Sequence, residues 1–544
     1  MLISPLLARN SRWRRWLVSC CLGGLLLLGL ATFRDYGMSF DAEASRVIGM
    51  TSLRFVAEKY KPDFITSAAQ QGEFSLYTEQ LPSFFNRDYG VGYELPVTLA
   101  ERLLELPDAR AKFLFRHLCT FLVSWVGVLA LFGLGRQRYG DWRTGLLAAG
   151  LLVLSPRLFG EFFYNDKDAV FMALSTVATY TTVRFVERPS WRWAGLHALA
   201  CALAIDVRQM AVLWPLATLV LLAWRSARGE YPAGSAGRRL GAVGLYSVGL
   251  AALVVAFWPY LWDAPWEHFR QAFENMQHFR WDGVLLYQGE LISSLQLPWH
   301  YPLVWPLITT PLLQLGLLAC GLVVLVRQLA RRGVVLYQRH TREWQDLLFA
   351  GLGLGPVLAV ILFHSVLYDG WRQLYFVYPS LLLVALRGLV ALWQALPTRV
   401  AWPRQVALAV LLVGALSSAV QIVWMYPLQS LYFNALTGSE VRQRFEQDYW
   451  GISYLQGLKW VLAHDERSTI RVCTEENMTP PLQLNAQILP HGDRERITVV
   501  KKPQDADYFL ASYRYHPGPY DLPPAVGSIQ AGRQLVLSIF RLNW

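Results

Sequence analysis

Trp16-Leu17-Val18-Ser19-Cys20-Cys21-Leu22-Gly23-Gly24-Leu25-Leu26-Leu27-Leu28-Gly29-Leu30-Ala31-Thr32-Phe33 is apolar from end to end, and Arg9, Arg12, Arg14 and Arg15 stand in front of it. Such a run approaches the ~20 residues that cross about 30 Å of hydrocarbon. Similar runs recur as far as Tyr426. The chain is 54% hydrophobic and only 16% charged, against about 25% charged in soluble domains, so it is short of water-facing surface. These features predict a polytopic α-helical membrane protein. Leu17-Val18-Ser19-Cys20 resembles a lipoprotein cleavage box, but Arg14 and Arg15 leave no room for an apolar region before it. We read an uncleaved first transmembrane helix.

The net charge of +11 would suggest nucleic acid if it formed one patch on a soluble domain. Here the basic residues lie in short loops between apolar runs, where they set orientation, and no nucleic-acid partner is expected. The arginines before Trp16 keep the N-terminus cytoplasmic and place the chain just beyond Phe33 outside. The second span, about 113–134, returns to Arg136, Arg138 and Arg143, and the third, about 145–163, goes out to Tyr164-Asn165-Asp166-Lys167-Asp168. The fourth comes back to Arg184, Arg188 and Arg192. A short fifth ends at Asp206-Val207-Arg208-Gln209, and the sixth leads to Arg225, Arg228, Arg238 and Arg239. The seventh reaches Trp258-Pro259 and an aromatic outer loop through Trp281 and Trp299-His300-Tyr301-Pro302. The eighth leads to Arg327, Arg331, Arg332, Arg339 and Arg342, and the ninth, about 347–366, exits at Tyr368-Asp369-Gly370-Trp371-Arg372. The tenth turns at Arg399 and Arg404, and the eleventh ends near Tyr426. Every Arg cluster then falls on one side, which supports about 11 transmembrane helices in an inner or plasma membrane with the C-terminus outside.

The longest loop between spans, about 34–112, is broken by Pro82, Pro96 and Pro107, and Pro96 to Leu106 reads as an amphipathic helix lying on the membrane. Loops of this length are uncommon unless functional. Beyond Pro427 the composition turns polar and aromatic, then alternates in short runs such as Ile497-Thr498-Val499-Val500, Tyr508-Phe509-Leu510 and Leu535 to Phe540. We expect residues 1–426 to form a transmembrane domain and 427–544 a small extracytoplasmic α/β domain. There is no internal repeat of fixed period, which counts against inverted-repeat transporters. The scattered cysteines and His117, His278, His300 and His364 show no disulfide framework or metal-ligand spacing. Gly351-Leu352-Gly353-Leu354-Gly355 lies inside an apolar run, so helix packing explains it better than nucleotide binding.

Charges at membrane depth are costly and tend to mark function. They collect on four outer loops, at Asp41 and Glu43, at Asp166, Lys167 and Asp168, at Asp206 and Arg208, and at Asp369 and Arg372. Acids beside bases suit a reaction in which a carboxylate takes a proton from an acceptor hydroxyl while cations stabilise a departing phosphate. A sugar carried on a polyprenyl phosphate presents that leaving group at this depth. Each residue also has a structural explanation. Asp41 and Glu43 sit where a helix dipole favours carboxylates, and Asn165, Asp166 and Asp168 suit the N-terminal cap of the fourth span. Arg157 and Glu161 are spaced to pair along one helix, and Arg208 and Arg372 can snorkel. Asp41, Glu43 and Asp166 offer the hard oxygen ligands of a divalent cation, so such an ion is allowed although no cofactor is required.

Several blocks, in chain order, resemble the protein O-mannosyltransferase family of GT-C glycosyltransferases, which includes the lipid A aminoarabinose transferases. They are Asp35-Tyr36-Gly37-Met38-Ser39-Phe40-Asp41, Arg116-His117-Leu118, Leu154-Ser155-Pro156-Arg157-Leu158-Phe159, Phe163-Tyr164-Asn165-Asp166-Lys167-Asp168, Pro298-Trp299-His300-Tyr301, Tyr368-Asp369-Gly370-Trp371-Arg372 and Asp448-Tyr449-Trp450-Gly451. The resemblance implies an inverting transferase that moves a sugar from a polyprenyl-phosphate donor to a protein, lipid or glycan acceptor, with the first acid of an external acidic pair as base. That acid maps to Asp41. The adjacent second acid is replaced by Ala42, with Glu43 one place later, so either Glu43 takes over as the second catalytic carboxylate or that role is weakened. Lys167, Arg208 and Arg372 are then the expected phosphate contacts, and Arg116, Arg157, Tyr164, Asn165, Asp166, Asp168 and Asp369 supporting residues. The competing expectations are a transporter or lipid flippase using the same charges, which should carry charges at mid-membrane or on both faces, and a structural assembly subunit, in which no outer charge is individually essential.

Overall fold

The structure is a computed structural model, and it describes residues 11–61, 80–277, 282–397 and 399–542. Arg9, His278 and Trp281 lie outside the described residues. The membrane part opens with α1 (Ser11–Thr32), continues through α2 (Ala42–Tyr60) and α3 (Glu94–Leu103), and returns in the long α4 (Ala109–Tyr139). Next come α5 (Trp142–Val153), α6 (Pro156–Tyr164), α7 (Asp168–Glu187), α8 (Trp191–Ile205), α9 (Leu213–Ala227), α10 (Ala236–Phe257) and α11 (Pro265–Gln277). A short antiparallel hairpin, β1 (Val284–Tyr287) and β2 (Glu290–Ser293), precedes α12 (Tyr301–Thr309), α13 (Leu312–Arg332), α14 (Trp344–Leu362), α15 (Tyr378–Ala395) and α16 (Trp402–Trp424).

Among the described residues nine helices are long and apolar enough to cross a membrane, and α5 with α6, bent by 76°, makes a tenth span if taken as one. The remaining expected span, the fifth, is α8, a helix of 15 residues, about 22 Å long at 1.5 Å per residue and short of the ~30 Å of hydrocarbon. Eleven apolar runs thus become nine continuous helices, one bent pair and one short helix. The bend falls at Leu154 and Ser155, just before Pro156 opens α6 without an N–H to give. Ser155 Oγ donates to Leu151 O at 2.9 Å and meets Gln314 Oε1 at 3.0 Å, so the interrupted backbone is repaired by side chains. Every residue of α6 is buried. The span of α7 is 78% buried, whereas those of α1 and α16 are 6% buried, which puts α7 at the centre and the other two on the lipid side.

The arginine-rich turns meet at one end of the bundle. Arg138 at the end of α4 pairs with Asp346 of α14 at 2.6 Å, Arg387 of α15 reaches the same carboxylate at 3.4 Å, and Arg228 after α9 donates to Tyr337 O. At the other end of α4, α2 and α3 are held by ion pairs, Arg46 to Glu101 and Arg116 to Glu94 and Glu101. Pro96 falls in the first turn of α3, where a missing N–H costs nothing, so the helix starts at Glu94 rather than at Pro96. Its buried face carries Glu94, Val97, Thr98 and Glu101, while Leu99, Leu103 and Leu104 are exposed. The helix therefore leaves an apolar side exposed and turns its acids inward.

Beyond Tyr426, α17 (Ser453–His464), α18 (Thr479–Gln487) and α19 (His491–Arg496) accompany β3 (Ile470–Cys473), β4 (Ile497–Val499), β5 (Tyr508–Ala511), β6 (Gly527–Ala531) and β7 (Gln534–Arg541). The sheet order is β4-β3-β5-β7-β6, with β3 parallel to β4 and β5, and β7 antiparallel to β5 and β6. All four residues of β5 are buried, as expected for a central strand covered on both faces. Leu510 and Val472 pack with Leu455 and Leu458 of α17, while Phe509 and Phe540 fill a second core opposite.

Candidate active site

Asp41 is held from four directions by the chain on either side of it. The Met38 N–H donates to Asn485 Oδ1 of α18 at 2.9 Å, and Ser39 Oγ donates to Tyr164 O at 3.3 Å. The Phe40 N–H donates to Trp450 O at 3.0 Å, and Asp41 O accepts the first helical bond of α2 from Ser45 N at 2.9 Å. Gly37 is needed because a Cβ there would lie 2.2 Å from Ile452 O. Asp41 sits at the N-cap of α2, yet its side chain makes no capping hydrogen bond. The carboxylate is one-third exposed and turns instead to Arg372, 3.2 Å away.

That turn brings Asp41 to the edge of a cavity of about 330 Å³, whose lining also includes Tyr89, Lys167, Arg208, Asp369, Arg372 and Arg514. The loops after α6 and α8, the turn before α15, the segment after α1 and the end of β5 all converge here. Arg372 is buried and organises the acids. Its guanidinium reaches Asp41 at 3.2 Å, Asp168 at 3.0 Å and Asp369 at 3.2 Å, and lies 4.6 Å from the ring centres of both Tyr368 and Trp450. Asp369 and Gly370 both have positive φ, 54° and 73°, a conformation Asp tolerates better than most residues. This tight turn aims Asp369 at Arg372 on one side and at Arg514, 2.6 Å away, on the other. Arg208 also lines the cavity and pairs with Asp168. Lys167 is half-buried, with Nζ 3.5 Å from the centre of the Tyr89 ring. Among the described residues no carboxylate forms an ion pair with Lys167, which leaves it the least committed cation of the cavity.

The other expected residues divide. Asn165 caps the start of α7 by accepting from the Asp168 N–H at 2.7 Å, and its amide donates to Glu161 at 2.8 Å. Asp166 is buried against Ser45 Oγ at 3.1 Å, and burial together with Glu94 holds its carboxyl well above the usual range. Tyr164 is buried against Trp450 and Tyr36. Arg116 does not line the cavity and sits in a buried cluster, 2.6 Å from Glu94 and 3.2 Å from Glu101, with Thr98 Oγ1 at 2.7 Å. Arg157 and Glu161 do not pair. Glu161 is satisfied by neutral donors, Asn165, Tyr375, Tyr449 and Trp450, while Arg157 donates to Tyr432 O at 3.2 Å and packs over Phe433. The expected i, i+4 pair is broken because the segment after α16 supplies both residues with partners.

Glu43 is exposed on the first turn of α2 and does not line the cavity. Asp41, Glu43 and Asp166 therefore do not converge as ligands, and among the described residues no group of three or more His, Cys, Asp or Glu is arranged to hold a metal ion. His117 contacts Phe33 O, His300 contacts Tyr287, and His364 is exposed. Asp206 is buried, with no partner for either oxygen among the described residues, and burial holds its carboxyl well above the usual range.

Two lining features and one residue behind the cavity wall escape the sequence reading. Asp88 and Tyr89 come from the long first loop, with Asp88 accepting from Asn275 of α11 at 2.8 Å. Arg514 follows β5, bonded to Asp369 and to Tyr449 O. Glu446 is buried near the same group, and burial with the charge of Asp369 pushes its carboxyl up to about 8. The available signal for Arg514 is a single arginine between Tyr513 and Tyr515 at the end of an apolar strand.

No curated protein sequence matches the chain. Among solved structures, ArnT from Cupriavidus metallidurans in the apo state shares 13% identity with a TM-score of 0.50, over 97% of this chain and 98% of that one. The same protein bound to undecaprenyl phosphate gives 14% and 0.48, over 96% and 98%. The archaeal oligosaccharyltransferase AglB from Archaeoglobus fulgidus gives 11% and 0.44, over 92% and 70%. Residues 114–262 match the family model for dolichyl-phosphate-mannose-protein mannosyltransferase, and the chain as a whole is an integral membrane protein with the GT-C fold seen in ArnT.

Proposed function

We propose that the protein is an inverting glycosyltransferase that moves a sugar from a polyprenyl-phosphate donor to an acceptor hydroxyl at the extracytoplasmic face. One observation carries the reading. A partly exposed carboxylate, Asp41, opens on the same cavity as Lys167, Arg208 and Arg372, so a proton acceptor and the cations for a phosphate leaving group are together. The matched family model, named for a dolichyl-phosphate sugar, supports the donor class. In this reading residues 1–426 form the membrane part with a cytoplasmic N-terminus, and 427–544 form a domain outside.

The reaction is one displacement. Asp41 accepts the proton of the acceptor hydroxyl as its oxygen attacks the anomeric carbon. The bond from that carbon to the phosphate oxygen breaks, and the phosphate leaves with the electron pair. Lys167, free of carboxylate partners among the described residues, meets the phosphate first, with Arg208 beside it. Arg372 is a positioning residue, since it is buried and already shared among three carboxylates. The step as written uses side chains alone. Purified protein in detergent, given a polyprenyl-phosphate sugar and acceptor, should release polyprenyl phosphate, and Asp41→Asn should stop that release while leaving the melting profile in place. Unchanged turnover in Asp41→Asn removes the base assignment, and sugar-lipid flux in proteoliposomes without release of polyprenyl phosphate removes the transferase reading.

A further inference from the structure

A second cavity, about 660 Å³, lies at the arginine-rich end of the bundle between α4 and α7. It is remote from the candidate active site: α4 starts beside the C-terminal sheet region, where Arg110 donates to Ile488 O at 2.9 Å, and this cavity lies towards its opposite end. Three arginines line it, Arg136, Arg184 and Arg342, and among the described residues no acid does. The rest of its wall is mostly apolar. Val126, Leu129 and Gly133 follow one face of α4, with Val177 and Tyr180 of α7 opposite. From Arg136 to Val126 is ten residues of helix, about 15 Å at 1.5 Å per residue, or roughly half of the ~30 Å hydrocarbon thickness.

The protein engages these arginines only in part. Arg136 is exposed, and among the described residues it has no ion-pair partner. Arg184 is held in place by Gln137 Oε1 at 2.8 Å and by the Trp193 ring, yet its buried Nε has no partner among the described residues. Arg342 donates to Gln137 O and stands 3.7 Å from Glu187, a carboxylate that also accepts from Gln137 and Gln345. Gly133 keeps the groove narrow, because a Cβ there would meet the Tyr180 ring at 2.8 Å.

We propose that this groove binds one anionic phospholipid, its phosphate among Arg136, Arg184 and Arg342 and one acyl chain along Val126, Leu129 and Val177. Charge complementarity and length favour this occupant. A cationic end lined by no acid, whose nearest carboxylate, Glu187, is already engaged by Gln137 and Gln345, suits a phosphodiester, and an apolar trough about one leaflet deep suits an acyl chain. The inference does not depend on the transferase reading.

The test is native mass spectrometry of the full chain in detergent, with phosphatidylglycerol and phosphatidylcholine added at equal concentration. Wild type should retain phosphatidylglycerol in clear preference. Arg136→Ala, which breaks no internal pair, should lower that retention about 5-fold, and Arg136→Ala with Arg342→Ala about 30-fold, at roughly one surface-arginine contribution each. Val126→Trp should displace the lipid by filling the chain path, and Arg331→Ala, an exposed arginine at the same end, should change nothing. Equal retention of the two lipids by wild type, an equal loss in Arg331→Ala, or occupation of the groove by a second copy of the chain would overturn the proposal.

Discussion

Arg116 and Arg372 are both buried arginines surrounded by carboxylates, and the contrast between them separates a clamp from a site. Arg116 meets Glu94 and Glu101, Arg46 joins Glu101 at 2.6 Å, and the cluster locks α2 and α3 onto α4. Two arginines there balance two glutamates, and every group is buried. Arg372 meets Asp41, Asp168 and Asp369, but this cluster opens on a cavity, keeps Asp41 one-third exposed, and borders a lysine with no carboxylate partner among the described residues. The same chemistry is closed in one place and left accessible in the other. Burial alone does not reveal function; a charge set that stays open to a ligand does.

The contrast can be broken most sharply at Asp41. Asp41→Asn should lower kcat by about 10³-fold, within the range for loss of a general base, with the melting temperature nearly unchanged. Arg116→Ala should do the reverse, costing about 3 kcal/mol of stability because buried Glu94 loses its cation and Glu101 keeps only Arg46. Denaturation monitored by tryptophan fluorescence would check it. A catalytic loss at Arg116 with full stability would erase the distinction between the clusters. Lys167→Ala should reduce kcat/KM by roughly 30-fold, in line with loss of one charged hydrogen bond, without a stability change.

Glu446 tests the electrostatics behind the cavity wall. Its carboxyl is raised to about 8 from a reference of 4.5, so between those values the folded protein holds a proton that the unfolded chain has lost. Its contribution to stability is fully present below about 4.5 and falls as pH rises towards about 8, by about 1.4 kcal/mol per pH unit. Glu446→Gln should flatten that part of the stability profile, measured by melting between pH 5 and pH 8.5. The smallest effect is expected at Glu43. As an exposed residue outside the cavity, Glu43→Gln should change turnover less than about 2-fold; a large loss would place it in the site after all.

Much of the architecture is legible in the sequence. Apolar runs and the one-sided arginines mark the helices because the hydrocarbon layer constrains length and charge so strongly. Asp41, Lys167, Arg208, Asp369 and Arg372 can be selected because charges beside spans are rare, and the structure brings these residues to one cavity. The hidden part depends on contacts distant in sequence. The spacing of Arg157 and Glu161 predicts a pair, but Tyr432, Tyr449 and Trp450 draw them apart. Arg514 lies 145 residues from its partner Asp369, and no local pattern specifies that meeting. The length of α8 misleads for the opposite reason, since a short apolar run says that a helix is buried but not how far it reaches.

Asn485 has a wider consequence. Its side chain ties Met38 N and O to Gly451 O and Pro481 O, stitching the strand of chain that leads to Asp41 to the C-terminal helices. The C-terminal region is therefore not a detachable accessory in the evolutionary sense. It cannot be exchanged for another module without releasing the segment that leads to Asp41. Diversification of such a protein should proceed by resculpting loops around a fixed frame, and lineages should inherit the two halves together.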